Sequence, residues 1–162
     1  MSFTRWRSLV DGTEYAPLPA SFVSRDDDNG TSTESDKLGV RINTSQEWPQ
    51  FYAQIGNAGT EATTAYIHNV DTGELMDTAD ISSLSAGDIF RFGSANLAAN
   101  QDYNVVVDAG GESYNTGRLL GTEISYTSAD GNLSIIDGAV GEQGVTDRDD
   151  EAYSIVAVGN FA

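Results

Sequence analysis

The sequence predicts an all-β protein: an antiparallel β-sandwich of jelly-roll type, with little or no helix. Three observations lead there. Apolar runs are short and rich in β-branched and aromatic residues, as in Tyr103-Asn104-Val105-Val106-Val107. Gly, Asp and Asn punctuate them, as at Asp71-Thr72-Gly73 and Asp130-Gly131-Asn132, where Asp holds its own backbone and Gly supplies positive φ. No long segment repeats its apolar residues at helical spacing. Seventeen glycines against three prolines suit a fold with many turns.

Taken in order, Phe3, Trp6 and Leu9 mark a short first strand or an N-terminal arm over residues 1–10. Pro17 and Pro19 confine their stretch to an edge or an extended connection, because proline cannot donate to a sheet ladder. Phe22-Val23 gives a short run, and Arg25 to Lys37 reads as a polar surface loop. Leu38, Val40 and Ile42 alternate with Gly39 and Arg41, the clearest period-two strand. Phe51, Ala53 and Ile55 repeat the pattern. Ala65 to Val70 and a return beginning at Leu75-Met76 flank the turn at Asp71 to Glu74. Ile81 and Leu84 pin a polar connection; Ile89, Phe90 and Phe92 form the next run, and Tyr103 to Val107 the one after. Ser83 to Asp88 and Ala95 to Asn100 are the two places where a helical turn fits. Leu119, Leu120, Ile124 and Tyr126 lead to a hairpin turn at Asp130-Gly131-Asn132. The strand Leu133 to Ile136 is expected to end at Asp137-Gly138, with Ala139 to Glu151 as a long surface loop. Ala152 to Phe161 is apolar on both faces, so that strand is expected to be central or covered by another chain.

The 162 residues fit one domain, and no repeat of fixed period suggests a propeller or solenoid. Without cysteine there is no thiol nucleophile and no cysteine-held metal. Asp and Glu total 25 against 8 Lys and Arg, a formal charge of −17, and Lys37 is the sole lysine. Such a chain repels phosphate, so no nucleic acid is expected as a partner. The charge also repels itself, and molar salt, where the Debye length falls to about 3 Å, relieves that repulsion. The composition therefore points to a saline setting. The N-terminal stretch lacks the apolar run of roughly seven or more residues that a secretory signal uses, and no segment approaches the roughly 18 apolar residues of a membrane span. No membrane insertion is expected.

Candidate chemistry is sparse. His68, the single histidine, sits in a strand pattern, and no Gly-x-Ser-x-Gly elbow accompanies it, so no catalytic residue is assigned and no enzyme is expected. A carboxylate pair for polysaccharide hydrolysis depends on the fold and not on sequence spacing. A small enzyme of that kind therefore ranks behind the other readings. Aligning Gly30 with the central glycine of a calcium loop puts Arg25 where the first oxygen ligand belongs, which excludes an EF-hand. Asp26, Asp28 and Asp149 remain candidates for a structural Ca2+ or Mg2+ ion, although the overall acidity favours solvated loops. No other cofactor is expected. Trp6, Trp48 and Tyr114 are candidates for a glycan platform, set against the general burial of large rings.

Val10-Asp11-Gly12-Thr13-Glu14-Tyr15, Leu38-Gly39-Val40-Arg41-Ile42, Thr64-Ala65-Tyr66-Ile67, Asp80 to Asp88, and Leu97 through Tyr103 to Tyr114 together resemble jelly-roll modules in structural proteins of haloarchaeal tailed viruses. These are similar to lectin- and carbohydrate-binding-module-like sandwiches of phage tail and surface proteins. The likeness runs from about Leu9 to Gly117; nothing after Leu120 matches. It implies a structural protein on the outside of a halophilic virus particle, of capsid turret, decoration or tail-fibre type. The expected location is the virion, and the expected partners are copies of the chain in a symmetric homo-oligomer and neighbouring virion proteins. The alternative it implies is a carbohydrate-binding module for host surface glycan. No catalytic residue carries over.

Overall fold

The computed structural model describes residues 37–56, 62–108 and 126–145 in full, together with Val23, Ile155 and residues 157–159, and the backbone of the remaining strands. The described strands are β1 (Arg5–Arg7), β2 (Glu14–Pro17), β3 (Phe22–Ser24), β4 (Gly30–Thr33), β5 (Lys37–Thr44), β6 (Phe51–Ile55), β7 (Thr64–Asn69), β8 (Leu75–Asp80), β9 (Ile89–Phe92), β10 (Gln101–Asp108), β11 (Ser113–Arg118), β12 (Tyr126–Thr127), β13 (Leu133–Val140), β14 (Gly144–Val145), β15 (Glu151–Tyr153) and β16 (Ile155–Gly159). No helix occurs among the described residues. Both stretches that could hold a helical turn, 83–88 and 95–100, are turns, irregular backbone and a single bridge residue.

Pairing is antiparallel throughout and nested. β3 pairs with β16, β5 with β10, β6 with β9, and β7 with β8, so each pair encloses the next in sequence. The chain is thus a long antiparallel ribbon. Two further pairings, β16 with β6 and β10 with β7, roll it into the sheets β3-β16-β6-β9 and β5-β10-β7-β8. That is the jelly roll the patterning predicts. β13 extends the second sheet beyond β5 and carries β12 and β14 with it; β15-β11-β4 forms a third sheet and β1-β2 a separate ribbon. The terminal strand β16 is central, between β3 and β6, which accounts for its apolar residues on both faces.

Alternation places the core. Val40 and Ile42 on β5 face inward beside Tyr103, Val105 and Ile67, and meet Phe51, Ala53, Phe92 and Val158 of the opposite sheet in one buried cluster. Burying such side chains is worth roughly 1.5–3 kcal/mol each.

Three local expectations are corrected. Residues 30–33, expected in the loop Arg25–Lys37, form β4 against β11. Their polar Thr-Ser-Thr sequence carries no apolar alternation to reveal it. β11 itself gave no signal, for the same reason. Asp137-Gly138 does not end β13: the register slips between Ile135 and Asp137, and a bulge carries the strand on to Val140. The expected long loop after Ala139 therefore begins with a hairpin, β13 to β14.

Candidate functional site

Four connections gather at one end of the sandwich: 45–50, 70–74, 93–100 and 128–132. Backbone bonds tie them, from Ser45 N to Asn132 O (2.9 Å), and from Val70 N to Asp102 O at the base of β10 (3.1 Å). Trp48 and Leu97 form a two-way bridge between the first and third of these connections, each N–H donating to the other's carbonyl at 2.8 Å. Trp48 is wedged edge-on against Phe51, ring centroids 6.0 Å apart. The buried Thr44 hydroxyl donates to the Ala98 carbonyl (2.7 Å), and the Ala98 N–H donates to the Tyr103 hydroxyl (2.7 Å). Burial pushes the Tyr103 phenol up, and that Ala98 N–H pulls it part of the way back. Asn96 and Asn100 take left-handed φ values of 43° and 57°, a conformation Asn tolerates better than most residues.

Between these two connections lies an open groove of about 480 Å³, lined by Glu47, Trp48, Pro49, Asn96, Leu97 and Ala98. Trp48 and Leu97 are buried, while Glu47 and Asn96 stand exposed. The Trp48 indole N–H is buried with no acceptor. Chemically the groove offers the exposed apolar surface of Pro49 and Ala98, one carboxylate acceptor and one amide.

A second polar constellation lies on the outer face of the β5-β10-β7-β8 sheet. The ladder sets Asp137, Arg41, Asn104 and His68 side by side across β13, β5, β10 and β7. Arg41 Nε donates to Asn104 Oδ1 (3.0 Å), and Asn104 Nδ2 donates to the Gly144 carbonyl (2.9 Å). Arg41 Nη2 reaches the Gln143 carbonyl (2.5 Å), and Gln143 Nε2 donates to the Val70 carbonyl (2.7 Å). Residues 141–145 thus cross the sheet as a strap. His68 is buried, stacked on Tyr66, with Nδ1 3.4 Å from the Gly73 carbonyl and Nε2 unpartnered. Desolvation, then the nearby Lys37 charge, holds its pKa below the ordinary 6.5.

Of the residues singled out from sequence, Trp48 is no exposed platform. Only 1 % of its surface is accessible, so of the two readings the sequence leaves for it, glycan platform or buried ring, it takes the core role. Trp6 and Tyr114 fall on β1 and β11, with their side chains outside the described residues. Asp26, Asp28 and Asp149 lie outside the described residues as well. Among the described residues no group of three or more His, Asp or Glu is placed to hold a metal ion. No sequence pattern marks Glu47, Asn96 and Ala98; Glu47 is the chain neighbour of Trp48, while Asn96 and Ala98 meet it only because residues about fifty positions apart bridge. Comparison with protein-family models, with curated proteins and with solved structures gives no match.

Proposed function

We propose that this chain is a structural protein on the outer surface of a halophilic virus particle, of capsid turret, decoration or tail-fibre type. In this role it assembles with copies of itself and with neighbouring virion proteins. The observation that carries the reading is the union of a jelly-roll ribbon with an extreme acidic surface. Jelly rolls recur in viral coats and in lectins. A charge of −17 with a single lysine suits a particle that must stay dispersed in brine. Fold alone does not select among the many functions a sandwich hosts, so the charge and the sequence resemblance supply the rest. Closed symmetric assembly is the usual state of such proteins.

Mass spectrometry of purified particles from a halophilic virus that encodes the chain tests the proposal. The chain is expected in stoichiometric amounts, accessible to surface labelling. Particles that lack it, or that enclose it away from the label, overturn the assignment.

A further inference from the structure

We infer that residues 141–145 form a pH-operated latch, released from the outer face of the β5-β10-β7-β8 sheet when His68 takes up a proton, a device that does not depend on the particle assignment. Two polar side chains sit in an unusual place. Asn104 and His68 lie side by side on the outer face, yet Asn104 is fully buried and His68 is only 3 % exposed. Their cover has two parts. One is the strap, to whose Gly144 carbonyl Asn104 Nδ2 donates. The other is the turn 70–74, whose Gly73 carbonyl lies 3.4 Å from His68 Nδ1. Gln143 joins the two: its Nε2 donates to the Val70 carbonyl, and its Oε1 stands 3.0 Å from the place a Cβ on Gly73 would take.

This cover suits a neutral imidazole. A carbonyl only accepts, so Gly73 assigns the ring proton to Nδ1 and leaves Nε2 as a bare acceptor, buried without a partner. A second proton at Nε2 creates a buried charge and an unmet donor, which costs far more than a bare lone pair. The charged neighbours do not compensate. Lys37 on β5 stands 3.9 Å from the centre of the Tyr66 ring, Tyr66 on β7 stacks on His68, and the lysine repels the imidazolium. Glu142 on the strap favours it but is exposed. β10 and β8 set uncharged Asn104 and Leu75 opposite His68, and Arg41 on β5 is held on Asn104 and Gln143. In the turn, Asp71 is engaged by Gln101 Nε2 (3.1 Å) and Glu74 is exposed. Water is then the acceptor for the protonated ring, and admitting it means lifting the cover. The strap is the part that yields. Residues 142–145 are exposed, Val145 at 40 %, so little apolar burial holds them, and Gly141 at φ 63° gives a permissive joint. β10 beneath is buried on both faces.

The test follows amide hydrogen exchange of the intact protein in molar KCl from about pH 7.5 to about pH 5.5, a range in which ordinary carboxylates stay ionised, with intrinsic exchange rates divided out. The reporter is the Gly141 N–H, bonded to the Lys37 carbonyl (2.7 Å) where the strap begins. With the strap lifted, His68 ionises near its ordinary 6.5. Opening at Gly141 is therefore expected to grow several-fold as pH falls below 6.5, with about tenfold per pH unit as the ceiling for one proton. The β10 amides should keep their protection. His68→Gln, neutral throughout the range, should abolish the pH dependence. Gln143→Ala loosens the strap without touching the imidazole, and by reciprocity should raise the midpoint of the His68 ring titration, read by NMR, towards 6.5. Opening that is flat across the range overturns the inference. So does an equal rise in His68→Gln, an equal loss of protection in β10, or a His68 midpoint unmoved by Gln143→Ala.

Discussion

Gly39 pairs with Val106 in the β5–β10 ladder and leaves no room for a side chain. A Cβ added there would lie 1.9 Å from the Val105 carbonyl oxygen and 2.8 Å from the Val106 Cα, both main-chain atoms that belong to the central ladder. Neither can swing aside as a side chain would. Gly39→Ala is therefore expected to destabilise the fold by about 1–3 kcal/mol, the usual scale of overpacking. Urea unfolding should show a lower midpoint at unchanged slope; an unchanged midpoint would refute the crowding argument. His68 carries a different liability. Its folded pKa is depressed, so the unfolded chain takes up the proton first. The stability His68 contributes is complete above the unfolded value of 6.5 and is lost as pH falls towards the folded pKa. Lys37, on β5, opposes the protonated form, and Glu142, on the strap, favours it. The stability difference between the native protein and His68→Gln is expected to shrink as pH drops below 6.5. Unfolding curves collected on both sides of that pH measure it, and parallel pH profiles for the two proteins would rule it out.

At the scale of elements, the strap is the least ordinary feature. Residues 141–145 are held across the outer face by side chains of three different segments: Arg41, Asn104 and the strap's own Gln143. Arg41→Ala removes one of these bonds, together with the Arg41 bond that orients Asn104, without opening the inner core, since Arg41 points away from Val40 and Ile42. Hydrogen exchange should quicken at 141–145 while β10 keeps its protection. Protection lost equally in both would mean that the strap and the sheet open as one unit. The edge strand β8 is managed by acids. Asp77 accepts from Thr78 N (2.8 Å), which occupies a main-chain donor of β8 itself, and from Ser94 N (2.7 Å), which ties the edge to the connection after β9. These elements differ in how far the sequence reveals them. β5 and β6 were legible because period-two alternation marks their buried face, and β10, buried on both faces, because it carries a continuous run of valines. β4 and β11 were not, because polar strands carry no such signature. The continuation of β13 was hidden by Asp137-Gly138, which reads as a stop, whereas the chain uses a bulge there. The jelly roll was foreseen as a class, but the pairing of β3 with β16 joins opposite ends of the chain and no local pattern encodes it. The groove was invisible for the same reason: Trp48 was noticed as a ring, and the residues that meet it come from β9 to β10.

For the whole molecule, the deciding quantity is charge. None of the described acids is buried. Several turn their oxygens to nearby main-chain donors: Asp80 takes Ser82 N (2.9 Å) and its hydroxyl (2.6 Å), and Asp88 takes Ser85 N (2.8 Å). The described cations also have neutral partners, with Lys37 over the Tyr66 ring, Arg41 on Asn104 and Gln143, and Arg91 on Gln50. Local hydrogen bonding thus uses the carboxylates without cancelling their charge, and −17 remains to be screened by the medium. At low ionic strength, around 0.01 M, the Debye length of about 30 Å lets repulsion act across the whole domain; at molar salt, near 3 Å, only adjacent groups feel one another. The melting temperature is therefore expected to rise by several degrees from low to molar KCl. Potassium chloride is the salt of choice because sulfate would strengthen apolar burial as well. Glu74→Gln with Glu142→Gln removes two exposed charges and should flatten the rise. A melting temperature indifferent to KCl would remove the saline reading. A rise that the double variant leaves untouched would assign the effect to something other than charge.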